Sequence, residues 1–407
     1  MQTQLSEEFK HSSVAQQADD ILRSCVHCGF CTATCPTYLQ LGDELDGPRG
    51  RIYLIKQVLE GQPATRKTQQ HLDRCLTCRS CETTCPSSVN YHRLLDIGRQ
   101  IVEQKVSRPF LQKTFRFVLR KFLLHNFLFN ASIQLNRLLA PLLPHVFSRS
   151  IQKQSLQSNT ARLIKNQYKR KVLLLEGCVQ PSLQPHINQH TRQVLSHLDI
   201  GVIDCSAVHC CGALSHHLSA AAESLQQAKN NIDHWLTLLN QGAEAIIITA
   251  SGCGSHIKDY PALFIGDAQY APKAQQVAES CKDISEFMQA EDMSYFKKFE
   301  HIQSVAWHPP CTLQHGQQLG AQVENMLTTL GYRLVSVKDQ HLCCGSAGTY
   351  SILQAELSTQ LLNNKIKHLQ HQQPDVIATA NIGCQSHLLT QSTQPVLHWL
   401  QLLDFEH

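Results

Sequence analysis

Two short cysteine runs near the N-terminus carry the clearest chemistry in this sequence. Both follow the spacing C-x-x-C-x-x-C-x-x-x-C-P, and their members are Cys25, Cys28, Cys31 and Cys35, then Cys75, Cys78, Cys81 and Cys85. Thiolates in such a run hold cubane four-iron four-sulfur clusters, and where two runs occur together the fourth cysteine ligates the other cluster. We therefore predict one cluster on Cys25, Cys28, Cys31 and Cys85 and a second on Cys35, Cys75, Cys78 and Cys81.

Other cysteine chemistries fit these runs less well. A zinc site needs only four nitrogen or sulfur ligands, which does not explain eight cysteines in two matched runs. Covalent c-type haem requires C-x-x-C-H, and no histidine follows these pairs. Purely structural cysteines are the remaining alternative. Arg49 and Arg51, between the runs, are expected in a solvated loop, the alternative being electrostatic support of reduced clusters.

A second set of cysteines belongs to an internal repeat. Cys178 is followed 32 residues later by a Cys-Cys-Gly triplet, and Cys311 is followed by another triplet at the same distance. Two adjacent thiolates can bind one metal assembly while the glycine permits a sharp backbone path. The candidate ligands are Cys178, Cys210, Cys211 and Cys253, then Cys311, Cys343, Cys344 and Cys384, with His256 and His387 as optional ligands. A third iron-sulfur cluster, zinc in at least one copy and degenerate copies kept for structure all stay open. Cys205 and Cys281 are expected to be buried or surface thiols.

The elements around these cysteines alternate between strand and helix. Short apolar runs such as VLLLEGC and EAIIITASGC end at a cysteine, and an amphipathic segment between the strands ends at Gly242. This pattern predicts a parallel sheet in each copy, with the cysteines converging at the carboxyl ends of the strands. The predicted domains are an α-helical two-cluster module over 1–106, a connector over 107–170, and two α/β repeats over 171–302 and 303–407. The fold class is therefore mixed α+β and α/β.

The connector is basic, strongly apolar and free of cysteine. Its segment FRFVLRKFLLHNFLFN predicts a helix and is followed by the proline-interrupted LLAPLLPHVF. The apolar face includes Phe115, Leu119, Phe122 and Phe127. The first interpretation is a helix packed on the core of its own protein. The alternative is a helix that docks on a membrane surface or a partner, because Arg116, Arg120 and Lys121 lie beside the aromatic residues.

Composition limits the remaining functions. The net charge is only +4 and no block of like charges occurs, so nucleic acid is not expected as a partner. The N-terminal segment has neither a basic n-region nor an apolar h-region, so the 18 cysteines are expected to be reduced and cytoplasmic. No stretch approaches 18 consecutive apolar residues, so a membrane would be met only peripherally.

The motifs together resemble a known family. ILRSCVHCGFCTATCPTY, GDELDGPRGRIYLIKQVLEG, HLDRCLTCRSCETTCPS, LLLEGCVQP, CTLQHGQQL, HLCCGSAGTY and TANIGCQSH are similar to segments of CCG-domain proteins with a two-cluster ferredoxin module. That group includes heterodisulfide reductase B subunits, anaerobic glycerol-3-phosphate dehydrogenase C subunits and lactate-utilisation proteins. Within it the sequence most resembles the iron-sulfur subunits of bacterial glycolate oxidases. The heterodisulfide reductase pattern has cysteine where His256 and His387 stand here, so the resemblance does not extend to its five-thiolate, non-cubane clusters.

The resemblance implies an electron-transfer role within a complex. Two flavin-type subunits would oxidise glycolate to glyoxylate, and this chain would pass electrons to a quinone or other acceptor at the cytoplasmic side of the inner membrane. No G-x-G-x-x-G fingerprint or P-loop is present, so we expect no flavin, nicotinamide or nucleotide site and no catalytic residue here. The alternatives are the equivalent subunit for glycerol 3-phosphate or lactate, a catalytic thiol-disulfide reductase, and a zinc-dependent scaffold.

Overall fold

The chain divides into two compact units. The computed structural model describes residues 1–139, 168–203, 205, 207–208 and 210–405. One unit comprises Met1–Arg116 with His341–Lys365, and the other comprises Phe117–Gln340 with Ile366–His407. The first unit therefore includes the segment of the second repeat that carries Cys343 and Cys344. The four domain boundaries drawn from the sequence stay predictions.

The first unit is helical, as predicted for a two-cluster module. Its helices are α1 (Ser13–Ser24), α2 (Pro36–Leu41), α3 (Pro48–Leu59), α4 (Arg66–Asp73), α5 (Ser80–Thr83), α6 (Tyr91–Lys105), the start of α7 (Phe110–Leu124) and, later in the chain, α18 (Tyr350–Leu353) and the start of α19 (Ala355–Gln370). Leu22, Ile55 and Leu94 bring α1, α3 and α6 together in one buried core. Hydroxyl caps at the helix starts, such as Ser12 accepting from the Ala15 N–H, satisfy backbone donors that have no partner within the helix.

The second unit contains two parallel sheets with the same strand order. The first sheet has the order β2-β1-β3-β4 and the second β7-β6-β8-β9. The strands are β1 (Arg170–Leu175), β2 (Ile200–Ile203), β3 (Ile246–Ile248), β4 (Cys281–Asp283), β5 (Phe296–Lys297), β6 (Ser304–His308), β7 (Arg333–Leu334), β8 (Val376–Thr379), β9 (Val396–His398) and β10 (Asp404–Phe405). β5 and β10 form a separate antiparallel pair. The short apolar runs are buried central strands, which suits parallel sheets covered on both faces. The predicted duplication and fold class are confirmed.

The second unit also contains helices. They are the end of α7, α8 (Asn126–Leu139), α9 (Gln180–Leu183), α10 (Pro185–His197), α11 (Ala213–His217), α12 (Ala221–Asn240), α13 (Ser251–Lys258), α14 (Tyr260–Leu263), α15 (Ala271–Ser280), α16 (Ile284–Met288), α17 (Gln322–Thr329), the end of α19 (Ala355–Gln370), and α20 (Ile382–Leu389). The predicted amphipathic helix is α12, which buries Ile232 and Trp235. Gly242 follows it in the left-handed region at φ +101°. Its N–H donates to the Leu239 carbonyl at 3.0 Å, so this glycine ends the helix as expected.

The loops after corresponding strands of the two sheets meet within the second unit. The Ser251 N–H, just after β3, donates to the Ala380 carbonyl, just after β8, at 3.2 Å. The hydroxyls of Ser251 and Thr312 are 2.8 Å apart, and His398 Nε2 lies 2.9 Å from the Thr249 carbonyl oxygen. Both sheets also contribute to one buried apolar cluster. The two sheets therefore pack against each other at the loops that follow their corresponding strands.

The connector is helical where it is described, but its apolar face is largely exposed. No side chain of α7 is buried, and Phe115 is 50% exposed. In α8, Phe129 and Ile133 are buried whereas Phe127 is 75% exposed. The expectation of a helix packed on the core is thus wrong for α7, since amphipathicity alone does not say what covers the face. The segment LLAPLLPHVF lies, beyond its first two residues, outside the described residues. Among the described helices none is long and apolar enough to span a membrane.

Candidate iron-sulfur cluster sites

The backbone of both N-terminal cysteine runs is coiled in the same way. In the first run His27 and Gly29 have φ of +60° and +90°, and in the second Thr77 and Arg79 have φ of +53° and +59°. Residues other than glycine seldom adopt this left-handed conformation, and its repeated use at matching positions indicates a functional constraint. The left-handed residues turn the chain between successive cysteines. Each run thus presents its first three thiols to one concave side.

A cavity lies against the first run. Its lining includes Cys25, Cys28 and Cys31 of the first run and Cys85 of the second. Burial, and then the neighbouring Cys25, raise the pKa of the Cys31 thiol to about 11. Thiols gathered in this way repel one another as thiolates, so a cation must be present for them to ionise together. The residues therefore fit a cluster, and they are the set predicted for the first one.

A second cavity collects the other four cysteines. Its lining includes Cys35, Cys75, Cys78 and Cys81, and Cys81 also borders the first cavity. The Tyr91 hydroxyl donates to Cys75 Sγ at 3.7 Å, and the Thr37 hydroxyl lies 3.3 Å from Cys35 Sγ. Burial, followed by Cys78 and Cys75, raises the pKa of Cys81 well above its ordinary value. This arrangement supports the crossed ligand sets, which remain a prediction.

Arg51 does not lie in a solvated loop, so that expectation is wrong. It is in the first turn of α3, and its side chain has 0% exposure. Burial alone would lower the pKa of Arg51, but nearby acidic groups, above all Cys75, raise it above its ordinary value, so it stays cationic. Arg49 does lie near the surface, paired with Glu44 at 2.6 Å. The sequence signal for a buried helix start was Gly50, whose Cα approaches the Glu44 carbonyl so closely that an added Cβ would lie 2.1 Å from its oxygen.

The four cysteines of the first repeat converge. Hydrogen bonds between side chains link Cys178 to Cys210, Cys210 to Cys211, and Cys211 to Cys253. They come from the segments that follow β1 and β2 and from the first turn of α13 after β3, on the side of the sheet where parallel strands place their ligands. The thiols of Cys178 and Cys211 hold the pKa of Cys210 well below its ordinary value, and His256 adds to this effect. This quartet has the donor set of a metal site.

The two Cys-Cys-Gly turns share one geometry, each within its own unit. Gly212 and Gly345 have φ of +90° and +91°. Their N–H groups donate to Cys210 Sγ at 3.4 Å and to Cys343 Sγ at 3.5 Å. A Cβ at Gly345 would lie 2.7 Å from the Ser358 carbonyl oxygen. Only glycine fits this turn, so the role expected for the glycine is confirmed.

The second quartet is divided between the two units, so its convergence stays a prediction. Cys311 precedes the turn Thr312–Gly316, and Cys384 lies in α20, where Asn381 Nδ2 donates to its Sγ at 3.6 Å. Cys343 and Cys344 are buried in the first unit. His256 is buried in α13, and His387 is partly buried in α20. Cys205 and Cys281 are buried thiols, one of the two outcomes expected for them.

His308 is a candidate ligand that sequence reasoning missed. It is buried at the end of β6, and one of its ring nitrogens lies within 4.8 Å of Cys384 Sγ. Imidazole nitrogen and thiolate sulfur together suit zinc or an iron-sulfur cluster. The segment HPPC, with histidine three residues before Cys311, was the available signal. Leu175 stands at the corresponding position of the first repeat, so a comparison of the two copies could not find it.

Comparison with known proteins agrees with this division of the chain. A 4Fe-4S dicluster domain matches residues 21–89, and a Cysteine-rich domain matches residues 172–258 and 305–389. The glycolate oxidase iron-sulfur subunit of Escherichia coli K12 is 50% identical over 404 residues, which are 99% of this chain and 98% of that protein. This chain belongs to that family of iron-sulfur subunits. Its cofactors are iron-sulfur clusters, and it is a component of an oxidoreductase that does not act alone.

More distant relatives match different proportions of this chain. A probable glycolate oxidase iron-sulfur subunit of Bacillus subtilis is 26% identical, over 94% of this chain and 90% of that protein. Lactate utilization protein A of Anoxybacillus flavithermus is 25% identical, over 52% of this chain and 88% of that protein. The lactate utilization protein is thus similar to only about half of this chain.

Proposed function

We propose that this chain is the electron-transfer subunit of a glycolate oxidase complex. It receives electrons from two flavin-type subunits that oxidise glycolate to glyoxylate, and it passes them to a quinone or another acceptor. The observation that carries this proposal is the pair of adjoining cavities, which are lined by the eight cysteines of the two runs and share Cys81. Similarity to a glycolate oxidase iron-sulfur subunit along 99% of the chain supports the choice of glycolate.

The residues have separate roles in this proposal. Cys25, Cys28, Cys31 and Cys85 hold the first cluster, Cys35, Cys75, Cys78 and Cys81 hold the second, and the quartet of the first repeat holds a further metal centre. Bound clusters supply transfer of single electrons, whereas oxidation of a 2-hydroxy acid delivers two electrons at once. A flavin converts between the two, so in this proposal the oxidation takes place on partner subunits. The protein's own thiols, hydroxyls and arginines orient the clusters and set their charge environment.

We also propose a peripheral position at the cytoplasmic side of the inner membrane. The exposed aromatic residues of α7 and α8 would contact either the membrane surface or a partner subunit. α7 carries no acidic residue in its sequence FLQKTFRFVLRKFLL, but Asp73 and Glu223 pair with three of its basic side chains. This position therefore depends on the exposed aromatic residues rather than on the charge of the helix. The acceptor would then be reached at that surface.

Glycolate added to the assembled complex should reduce the iron-sulfur clusters of this chain. The complex is co-purified anaerobically through a tag on this chain, and cluster reduction is followed by visible bleaching and electron paramagnetic resonance. We expect glycolate to reduce the clusters faster than lactate or glycerol 3-phosphate does at equal concentration. Reduction by lactate or glycerol 3-phosphate but not by glycolate would contradict the choice of substrate. If the flavin of the complex is reduced but no substrate reduces the clusters, the electron-transfer role is contradicted.

A further inference from the structure

Arg51 is held rigidly beside the second cavity. Its Nε donates to the His71 carbonyl at 2.7 Å, and its Nη2 donates to the Thr37 hydroxyl at 3.2 Å. The same Nη2 lies 3.5 Å from Asp46 Oδ1. These contacts come from α4, from α2 and from the turn before α3, and they fix the plane of the guanidinium. A planar cation with a fixed orientation can direct its remaining donors at a defined acceptor.

The remaining nitrogen of Arg51 has no acceptor within the described part of the chain. Nη1 is buried, makes no hydrogen bond, and belongs to a side chain that lines the cavity of Cys35, Cys75, Cys78 and Cys81. A buried charged donor without an acceptor is strongly unfavourable. The sulfurs of a cluster are hydrogen-bond acceptors and carry negative charge. A cluster in this cavity would therefore supply the acceptor that the protein lacks.

The positive charge of Arg51 is not cancelled by its acidic neighbour. Asp46 is buried and also contacts Arg74 Nη1 at 2.7 Å and His71 Nδ1 at 3.0 Å. One buried carboxylate thus faces two guanidinium groups. The carboxylate of Asp43 lies within 4.8 Å of that of Asp46, but Asp43 is exposed and solvent screens its charge. The positive charge of the buried Arg51 is therefore only partly cancelled next to the second cavity. At the first cavity the nearby Arg49 is partly exposed and paired with Glu44, so solvent and the carboxylate screen its charge. The two cavities therefore differ in charge environment.

We propose that Arg51 raises the reduction potential of the second cluster above that of the first. Reduction adds one negative charge, which a buried cation and a hydrogen bond to sulfur stabilise. The electron shared by the pair then rests on the second cluster: one electron leaves the first cluster, one arrives at the second, and no bond or proton is exchanged. This inference rests on the ligand sets of the proposed function.

The test is an anaerobic redox titration of the full-length chain followed by electron paramagnetic resonance. Cys78→Ser identifies the wave of the second cluster, because Cys78 lines only the second cavity. In Arg51→Gln we expect the midpoint potential of that wave to fall. The ratio of reduced to oxidised cluster at a fixed potential should fall about tenfold, which corresponds to a shift of about 59 mV for one electron. Arg49→Gln, on the same helix, is the matched control and should leave it in place.

A second variant gives the opposite shift and keeps the test decisive if Arg51→Gln fails to load iron. Asp46→Asn removes the negative charge beside Arg51 while keeping the size of the side chain. We expect the wave of the second cluster to move up in this variant. Two outcomes would overturn the inference. The first is a wave of the second cluster that stays in place in Asp46→Asn and in any iron-loaded Arg51→Gln. The second is a potential of the second cluster that lies below that of the first in the unmodified chain. Iron content distinguishes failure of this inference from failure of the proposed function. Absence of both clusters from the unmodified chain would refute the proposed function instead.

Discussion

Replacing Cys28 with serine is expected to abolish glycolate-dependent dye reduction by the assembled complex. Cys28 is an exposed thiol at the first cavity, and in the proposed assignment it is a direct ligand of the first cluster. Loss of residues that merely support a ligand lowers activity roughly 10–100-fold, so loss of a ligand should exceed roughly 100-fold. Flavin reduction by glycolate, measured by stopped-flow absorbance, should keep its rate because it precedes transfer to this chain.

Cys205→Ser is the matched control for that experiment. Cys205 is buried outside both runs, and its Sγ donates to the Leu174 carbonyl at 3.0 Å, a bond that a serine hydroxyl can also make. We expect this variant to keep iron and dye reduction. If Cys28→Ser instead removes flavin reduction as fully as dye reduction, this chain has a part in the oxidation itself. An unchanged rate of dye reduction would show that Cys28 is not a ligand on the electron path.

The double variant Cys210→Ser with Cys211→Ser should remove the metal centre of the first repeat and leave the N-terminal clusters. These two cysteines make the side-chain hydrogen bonds that connect all four members of the quartet. A metal site that loses two of four thiolates loses most of its affinity, because thiolate ligands provide the binding energy. Elemental analysis should show the loss of the metal bound beyond the two N-terminal clusters, and electron paramagnetic resonance should show those clusters unchanged.

The corresponding pair in the second repeat supplies the comparison. The double variant Cys343→Ser with Cys344→Ser changes a turn of the same backbone geometry. Its structural effect on the turn should therefore equal that of the double variant in the first repeat. A loss of metal in the first double variant but not in the second assigns the centre to the first repeat. A metal content that is the same in the unmodified chain and in the first double variant would refute the proposed third centre. Iron and zinc determined together decide which metal it is.

Much of the fold was predictable because its signals are local. The spacing of Cys25 to Cys35 and its repetition from Cys75 predict two clusters without any tertiary information. The parallel sheets follow from short apolar runs that alternate with amphipathic helices, and the constant offset between the Cys-Cys-Gly triplets predicts the duplication. The left-handed conformation of Gly212 and Gly345 was likewise predictable, since a sharp turn directly after two adjacent cysteines favours glycine.

What could not be predicted depends on contacts between distant segments. Arg51 is buried because Thr37, Asp46 and His71, from three other elements, supply its partners, and no periodicity in the sequence shows this. His308 does not follow from the duplication, because only one repeat has a histidine at that position. The exposure of α7 shows the same limit, since its apolar face is visible in the sequence but its surroundings are not.

The iron content of the full-length chain purified anaerobically tests the central claim most directly. Two cubane clusters require at least about eight irons per chain, together with a similar amount of acid-labile sulfide. We expect that content from elemental analysis and sulfide determination on the same sample, with the broad visible absorbance of iron-sulfur clusters. A chain that is folded after anaerobic handling but colourless, with near-stoichiometric zinc and almost no iron, would contradict the account.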